Sequence, residues 1–268
     1  MMSSQDWAIE AHGLAKTFPG RGKAASPVVA VDHIDMAVAP GTVFGLLGPN
    51  GAGKTTTFRM LTTLLPPDSG QATVCGFDLA AQAVQVREHI GLVGQLGGAD
   101  LDATGHENLV LAARLYGLTA AQAQDRAEAL QEVFDLTGLA NRIARTFSGG
   151  QRRRLEIALG MVHQPAVLFL DEPTTGLDPQ NRANLWDQLR ALRQQGVTVV
   201  LTTHYLDEAD ALADDLAIMD EGRVIAQGSP SELKARHNAA SLDEVFLTLT
   251  GRELRDGGNA VDPKGDVA

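Results

Sequence analysis

The chain has one cysteine, Cys75, among 268 residues, so no intrachain disulfide can hold it together and a reducing compartment fits. A lone cysteine of this kind reads as a small buried side chain before a reactive thiol. Aromatic residues are only 4% of the sequence, and positive charge is scarce: 22 Lys and Arg against 33 Asp and Glu, a formal net charge of −11. That balance opposes general nucleic-acid binding, which depends on neutralising phosphates, so no nucleic-acid partner is expected. Long apolar runs are missing as well. The most promising, Ile157–Leu170, lies between Glu156 and Asp171 and is broken by His163, Gln164 and Pro165, whereas a spanning helix needs ~20 mostly apolar residues. The first residues, including Asp6 and Glu10, offer neither the basic start nor the apolar stretch of a signal peptide. There is no heptad run, no internal repeat and no Asn-Lys-x-Asp guanine-reading motif, which argues against a coiled coil and a GTPase. A soluble, cytoplasmic protein is the expectation.

What is present is an ordinary globular composition, 44% hydrophobic and 21% charged, long enough to bury a substantial core. Short apolar runs alternate with helical patterns, which predicts an α/β fold with a mostly parallel sheet flanked by helices. Val43–Leu47, Ile90–Val93, Val167–Leu170, Val197–Thr202 and Leu216–Met219 read as buried strands. Trp7–Leu14, Val28–Val38 and Ala72–Cys75 read as a peripheral antiparallel layer. Leu101–Phe147 has helix signals instead, among them a capping box at Thr119–Gln122 and an apolar face of Ala123, Ala127, Leu130 and Phe134. Further boxes at Ser229–Glu232 and Ser241–Glu244 open two helices near the end, the second with Leu242, Val245, Phe246 and Leu249 on one face. Beyond Arg252 the composition predicts a disordered tail.

Two segments carry chemistry. Gly48-Pro49-Asn50-Gly51-Ala52-Gly53-Lys54-Thr55 satisfies G-x-x-x-x-G-K-[ST] between a strand and a helix, with Thr56 following. Glycines let successive backbone N–H groups turn inward on phosphate oxygens, and the helix start adds partial positive charge. Lys54 is placed to reach the β- and γ-phosphates and the Thr55 hydroxyl to ligate magnesium. The second segment is the strand ending in Asp171-Glu172, at the carboxyl edge where α/β sheets bind ligands. Asp171 suits magnesium, and Glu172 can orient or deprotonate an attacking water. Hydrolysis is therefore favoured over nucleotide storage. A third element, Ser148-Gly149-Gly150-Gln151 before a helix, supplies another cluster of amides and a hydroxyl. One triphosphate cannot easily occupy both loops of a single chain, whereas two chains placed head to tail can share them. Taken alone, Ser-Gly-Gly is equally a turn or linker.

The ordered set Gly48–Thr55, Gln95, Ser148–Gln151, Asp171-Glu172, Thr175–Asp178 and His204 resembles the nucleotide-binding subunits of ATP-binding cassette transporters over about Ala8–Gly228. The resemblance implies a P-loop NTPase core with an antiparallel β layer and an inserted α-helical subdomain at about 98–150. It divides the chain into an ATPase domain, 1–228, and a C-terminal extension and tail, 229–268. It implies ATP and Mg2+ as ligands. Gln95 then touches magnesium or the attacking water, His204 contacts the γ-phosphate, and Asp178 lies at a dimer seam. Ser148 and Gly150 bind the opposite subunit's γ-phosphate, and Phe18 matches the adenine-stacking aromatic, though a structural role stays open for it. The Arg152–Arg154 run and the ending Leu242–Gly251 resemble the daunorubicin-resistance type of exporter ATPase. The Arg run is equally compatible with a solvated helix face, and the Leu242–Leu249 stripe reads as docking on the chain itself before a partner site. The implied partners are a separately encoded integral membrane permease and a second nucleotide-binding subunit, as a homodimer, on the cytoplasmic face of the cell membrane. Import, or a non-transport role on ribosomes or DNA, is the alternative.

Overall fold

A computed structural model describes residues 7–20, 26–95 and 97–251. In chain order these form β1 (Ile9–Phe18), β2 (Val28–Val38), β3 (Val43–Leu47), α1 (Lys54–Leu61), β4 (Ser69–Val74), β5 (Phe77–Asp78), α2 (Ala83–His89) and β6 (Ile90–Val93). Next come α3 (Gly105–Leu115), α4 (Ala120–Val133), α5 (Gly149–Gly160), β7 (Val167–Asp171), α6 (Pro179–Gln194), β8 (Thr198–Thr203) and α7 (Leu206–Leu212). The described chain closes with β9 (Asp215–Asp220), β10 (Arg223–Gly228), α8 (Pro230–Arg236) and α9 (Leu242–Thr250). The tail expected beyond Arg252 lies outside the described residues.

The larger sheet runs β10-β9-β3-β8-β7-β6, parallel throughout except for the antiparallel β10 edge. Strands β3, β7 and β8 are buried along their whole length, as strands covered on both faces must be. The smaller antiparallel sheet, β2-β1-β4-β5, meets them through an apolar cluster that includes Ile9, Val38, Phe44, Phe58 and Phe169. Phe58 meets Phe169 edge to face with ring centroids 5.5 Å apart, tying α1 to β7. Two of the expected buried strands are longer than their apolar runs: β7 takes in Asp171 and β9 takes in Asp215 and Asp220, while β8 is shifted by one residue to end on Thr203, because polar ends can still pair when the neighbouring strand continues. Strands β5 and β10 were not expected from the sequence.

The segment from Leu101 to Phe147 is helical as expected, apart from one isolated bridge between Thr104 and Ile143. Ala123, Ala127, Leu130 and Phe134 are all buried, against Leu109, Leu155 and Ala158 among others. The Thr119 and Ser229 capping boxes are both formed. At Ser241 only half of the box is present: Ser241 accepts from the Glu244 amide, but the Glu244 carboxylate takes the Ala240 N–H instead. Leu242, Val245 and Phe246 pack on Leu47, Leu206, Ala209 and Ile218, so this stripe docks on the chain itself.

Candidate nucleotide-hydrolysis site

The loop between β3 and α1 is shaped by glycines whose roles differ. Gly53 has φ +101°, and a Cβ there would lie 2.5 Å from the Ala30 carbonyl oxygen, so no larger residue fits beside β2. Gly48 is closed in similarly, with the Met219 carbonyl oxygen 2.2 Å from where its Cβ would be. Pro49 is half-buried, Asn50 and Gly51 are exposed, and Ala52 is buried, its amide donating to the Pro49 carbonyl at 3.1 Å. Lys54 is 4% exposed, and its Nζ donates to the Gly48 and Pro49 carbonyls at 2.6 and 3.0 Å. Burial pulls the Lys54 pKa below its ordinary value, while the Glu172 and Asp171 carboxylates oppose that fall. Those interactions place Lys54, Asp171 and Glu172 in one electrostatic neighbourhood. Thr55 and Thr56 follow in the first turn of α1, half-buried.

Asp171 and Glu172 leave β7 in different ways. The Asp171 carboxylate points inward, and its Oδ1 accepts a 2.6 Å hydrogen bond from the Thr202 hydroxyl on neighbouring β8. The same hydroxyl oxygen accepts from the Glu172 amide at 2.9 Å. Glu172 then turns into the left-handed region, φ +45°, a conformation that costs a non-glycine residue ~1–2 kcal/mol. This turn brings Glu172 Oε1 to 3.3 Å from His204 Nδ1, although without hydrogen-bond alignment, and Thr175 Oγ1 donates to Oε2 at 3.3 Å. His204, just past β8, and Glu172 each expose only 12% of the side chain. Gln95 follows β6 and is exposed. It lines a cleft together with Glu172, Arg153, Glu156 and Thr175–Leu177.

Ser148 caps α5: its side chain accepts from the Gln151 amide, and the Gln151 carboxamide accepts from the Ser148 amide at 2.9 Å. The Gln151 side chain is thus committed to the helix start, leaving the exposed Ser148 and Gly149 to face outward. Gly150 is buried against α6, where a Cβ would lie 2.3 Å from Asn181 Oδ1. Gly149 lines the cleft that holds Gln95 and Glu172, and no residue of 48–56 does. Asp178 caps α6 through the Asn181 amide at 2.9 Å, a bond that holds its carboxyl below the usual range. Phe18 ends β1 opposite Val28, 38% exposed, at the rim beside β2.

Two contributors were not legible in the sequence. Thr202 ends an apolar strand, and only the β7–β8 register sets it against Asp171. Arg153 sat in an Arg run open to reading as a solvated face. The structure corrects that alternative: Arg153 is buried, and Arg154 binds Asp135 at 2.6 Å as well as the Phe134 and Asp135 carbonyls. Cys75 is half-buried, and burial pushes its thiol up to about 11, away from the reactive thiolate.

Residues 31–175 match the family described as ABC transporter. The daunorubicin/doxorubicin resistance ATP-binding protein DrrA of Streptomyces peucetius is 51% identical over 85% of this chain and 67% of its own length. The Nod factor export ATP-binding protein I of Cupriavidus metallidurans is 44% identical over 85% of this chain and 94% of its own. A solved structure described as the ATP binding subunit of an ABC transporter is 28% identical, with a TM-score of 0.77 over 91% of this chain and 99% of that one.

Proposed function

The chain belongs to the ATP-binding cassette transporter family and is an ATPase of it, and from that premise we propose that it drives export of a drug, antibiotic or lipid-like compound through a separately encoded membrane permease. Export is favoured because relatives over most of the chain are named for drug resistance and for Nod factor export. The observation that carries the hydrolytic role is the turned-out Glu172, held 3.3 Å from His204 and in the field of Lys54. A degenerate site would lack one of these groups.

In this reading the backbone amides of 48–55 and the Lys54 ammonium hold the phosphates. Phe18 offers its ring to the adenine. Glu172 accepts a proton from water as the water oxygen bonds to the γ-phosphorus and the bond from that phosphorus to the bridging oxygen breaks, leaving ADP and inorganic phosphate. His204 orients the γ-phosphate, and Gln95 senses it. The start of α5, with the exposed Ser148 and Gly149 followed by Gly150 and Gln151, serves the γ-phosphate of a second copy placed head to tail, and Asp178 lies at the seam. ATP therefore joins the two copies and hydrolysis releases them, because the shared phosphate is what both chains hold.

The residues fit Mg2+. The candidate donors are hard oxygens: the Thr55 hydroxyl, Asp171 Oδ2, left over when Oδ1 takes the Thr202 hydroxyl, and the Gln95 amide oxygen. When bound it neutralises charge building on the β- and γ-phosphate oxygens. Among the described residues no helix is long and apolar enough to cross a membrane.

Glu172→Gln keeps the shape and removes the base, so hydrolysis should slow by ~10²–10⁴-fold while the ATP-bound pair persists. Purified from its own cells with ATP and Mg2+ after gentle solubilisation, this variant should retain a polytopic membrane protein in stoichiometric amount. Ribosomal or DNA-repair proteins in its place would overturn the transport reading.

A further inference from the structure

Arg153 lies one turn into α5, 8% exposed, and spends its guanidinium on three main-chain carbonyls. Nε donates to the Pro173 carbonyl at 3.0 Å, Nη2 to the Asp171 carbonyl at 3.1 Å, and Nη1 to the Gly94 carbonyl at 2.9 Å. The first two carbonyls lie immediately before and after Glu172, the residue bent to φ +45°. The third immediately precedes Gln95. Glu156, one turn further on, accepts from Nη1 at 3.2 Å, and a Cβ on Gly97 would lie 2.1 Å from Glu156 Oε1. The pair therefore spans both sides of the Gln95 loop as well as the carbonyls of the residues on either side of Glu172.

A left-handed glutamate persists only where its surroundings over-determine it. Thr202 fixes the Glu172 amide from β8, and Arg153 fixes the two carbonyls from α5. A planar fork with donors at fixed angles can serve three carbonyls at once, which a lysine ammonium on a flexible stem cannot reproduce. We propose that Arg153, braced by Glu156, is the positioning residue that sets the geometry of the hydrolytic carboxylate Glu172 and of the Gln95 loop together. The same helix opens with Ser148, so the aim of one site's base is set from the element offered to the partner's nucleotide. This inference rests on Glu172 being the base.

The test uses the full chain, comparing Arg153→Lys, Glu172→Gln and the double variant by steady-state and single-turnover ATP hydrolysis and by binding of a fluorescent ATP analogue. Misplacing a catalytic group by about 1 Å costs ~100-fold in rate. Arg153→Lys should therefore lose about that in kcat while nucleotide affinity stays within about threefold of the parent. The double variant should be no slower than Glu172→Gln alone, since a base that is absent cannot be misaimed. A kcat unchanged in Arg153→Lys overturns the proposal, as does equal loss of kcat and affinity, or a loss that multiplies with that of Glu172→Gln. If Arg153→Lys does not fold, Glu156→Gln decides: a several-fold fall in kcat at unchanged affinity supports the brace, and an unchanged kcat overturns it. Normal hydrolysis by Glu172→Gln itself would instead remove the base assignment, a distinct outcome.

Discussion

Thr202→Val tests whether the site is built from the sheet rather than from the loops alone. The substitution is close to isosteric, so it opens no cavity, and it removes one hydroxyl that is fully buried. That hydroxyl donates to Asp171 Oδ1 at 2.6 Å and accepts from the Glu172 amide at 2.9 Å. Loss of a hydrogen bond to a charged group costs ~1.5–3 kcal/mol, and an orphaned buried amide ~1–3 kcal/mol. Because Glu172 is half-buried, water can partly replace the second bond, and the lower ends of both ranges apply. The sum is about 2.5 kcal/mol, which for a chain of this size lowers Tm by about 5–10 °C. Chemical denaturation of the full chain without nucleotide measures it. Thr202→Ser keeps both bonds and loses one methyl group, ~1 kcal/mol. The expected order, valine well below serine, reverses what an apolar pocket would give. A Val variant within about 0.5 kcal/mol of the parent, or a Ser variant less stable than the Val, would refute the reasoning.

Ser148→Ala should cost about 1 kcal/mol in the nucleotide-free chain through loss of the α5 cap, yet abolish ATP-dependent pairing in the Glu172→Gln background; sedimentation with ATP reads the second effect, and normal pairing would show that the hydroxyl serves only its own helix. Glu208 is buried beside Trp186, whose Nε1 donates to it at 3.4 Å, and burial raises its carboxyl pKa. The unfolded chain releases that proton at a lower pH than the folded one, so the contribution of Glu208 to stability falls as pH rises above the ordinary carboxylate range. Glu208→Gln should flatten this loss, and denaturation midpoints of the two proteins should diverge steadily from about pH 4.5 upward; parallel midpoints would mean that the group ionises in the folded state as it does in the unfolded one.

How far the sequence reached differs from element to element. The phosphate loop was legible because its chemistry is local: glycine at Gly48 and Gly53, a lysine and a hydroxyl at fixed offsets, then a helix. Capping told the same kind of story at Thr119 and Ser229, where donor and acceptor lie three residues apart. Buried strands declared themselves by unbroken apolar runs, and β10 escaped because its half-buried edge position mixes Arg223 and Gln227 with apolar residues. The order of motifs also pointed to a shared site.

Sequence by itself thus determined the glycine, lysine and hydroxyl loop between β3 and α1, the apolar faces of α4 and α9 and which carboxylate ends a buried strand, since these depend on neighbours within a turn or a loop. Only the tertiary structure decided that Thr202 faces Asp171, because parallel register joins positions 31 residues apart. It alone turned Arg153 inward to the carbonyls around Glu172 while Arg154, its neighbour, went to Asp135. Three arginines in a row are chemically alike, and which of them is buried depends on the packing of α5 against β6 and β7, a property of contacts that no short stretch of chain contains.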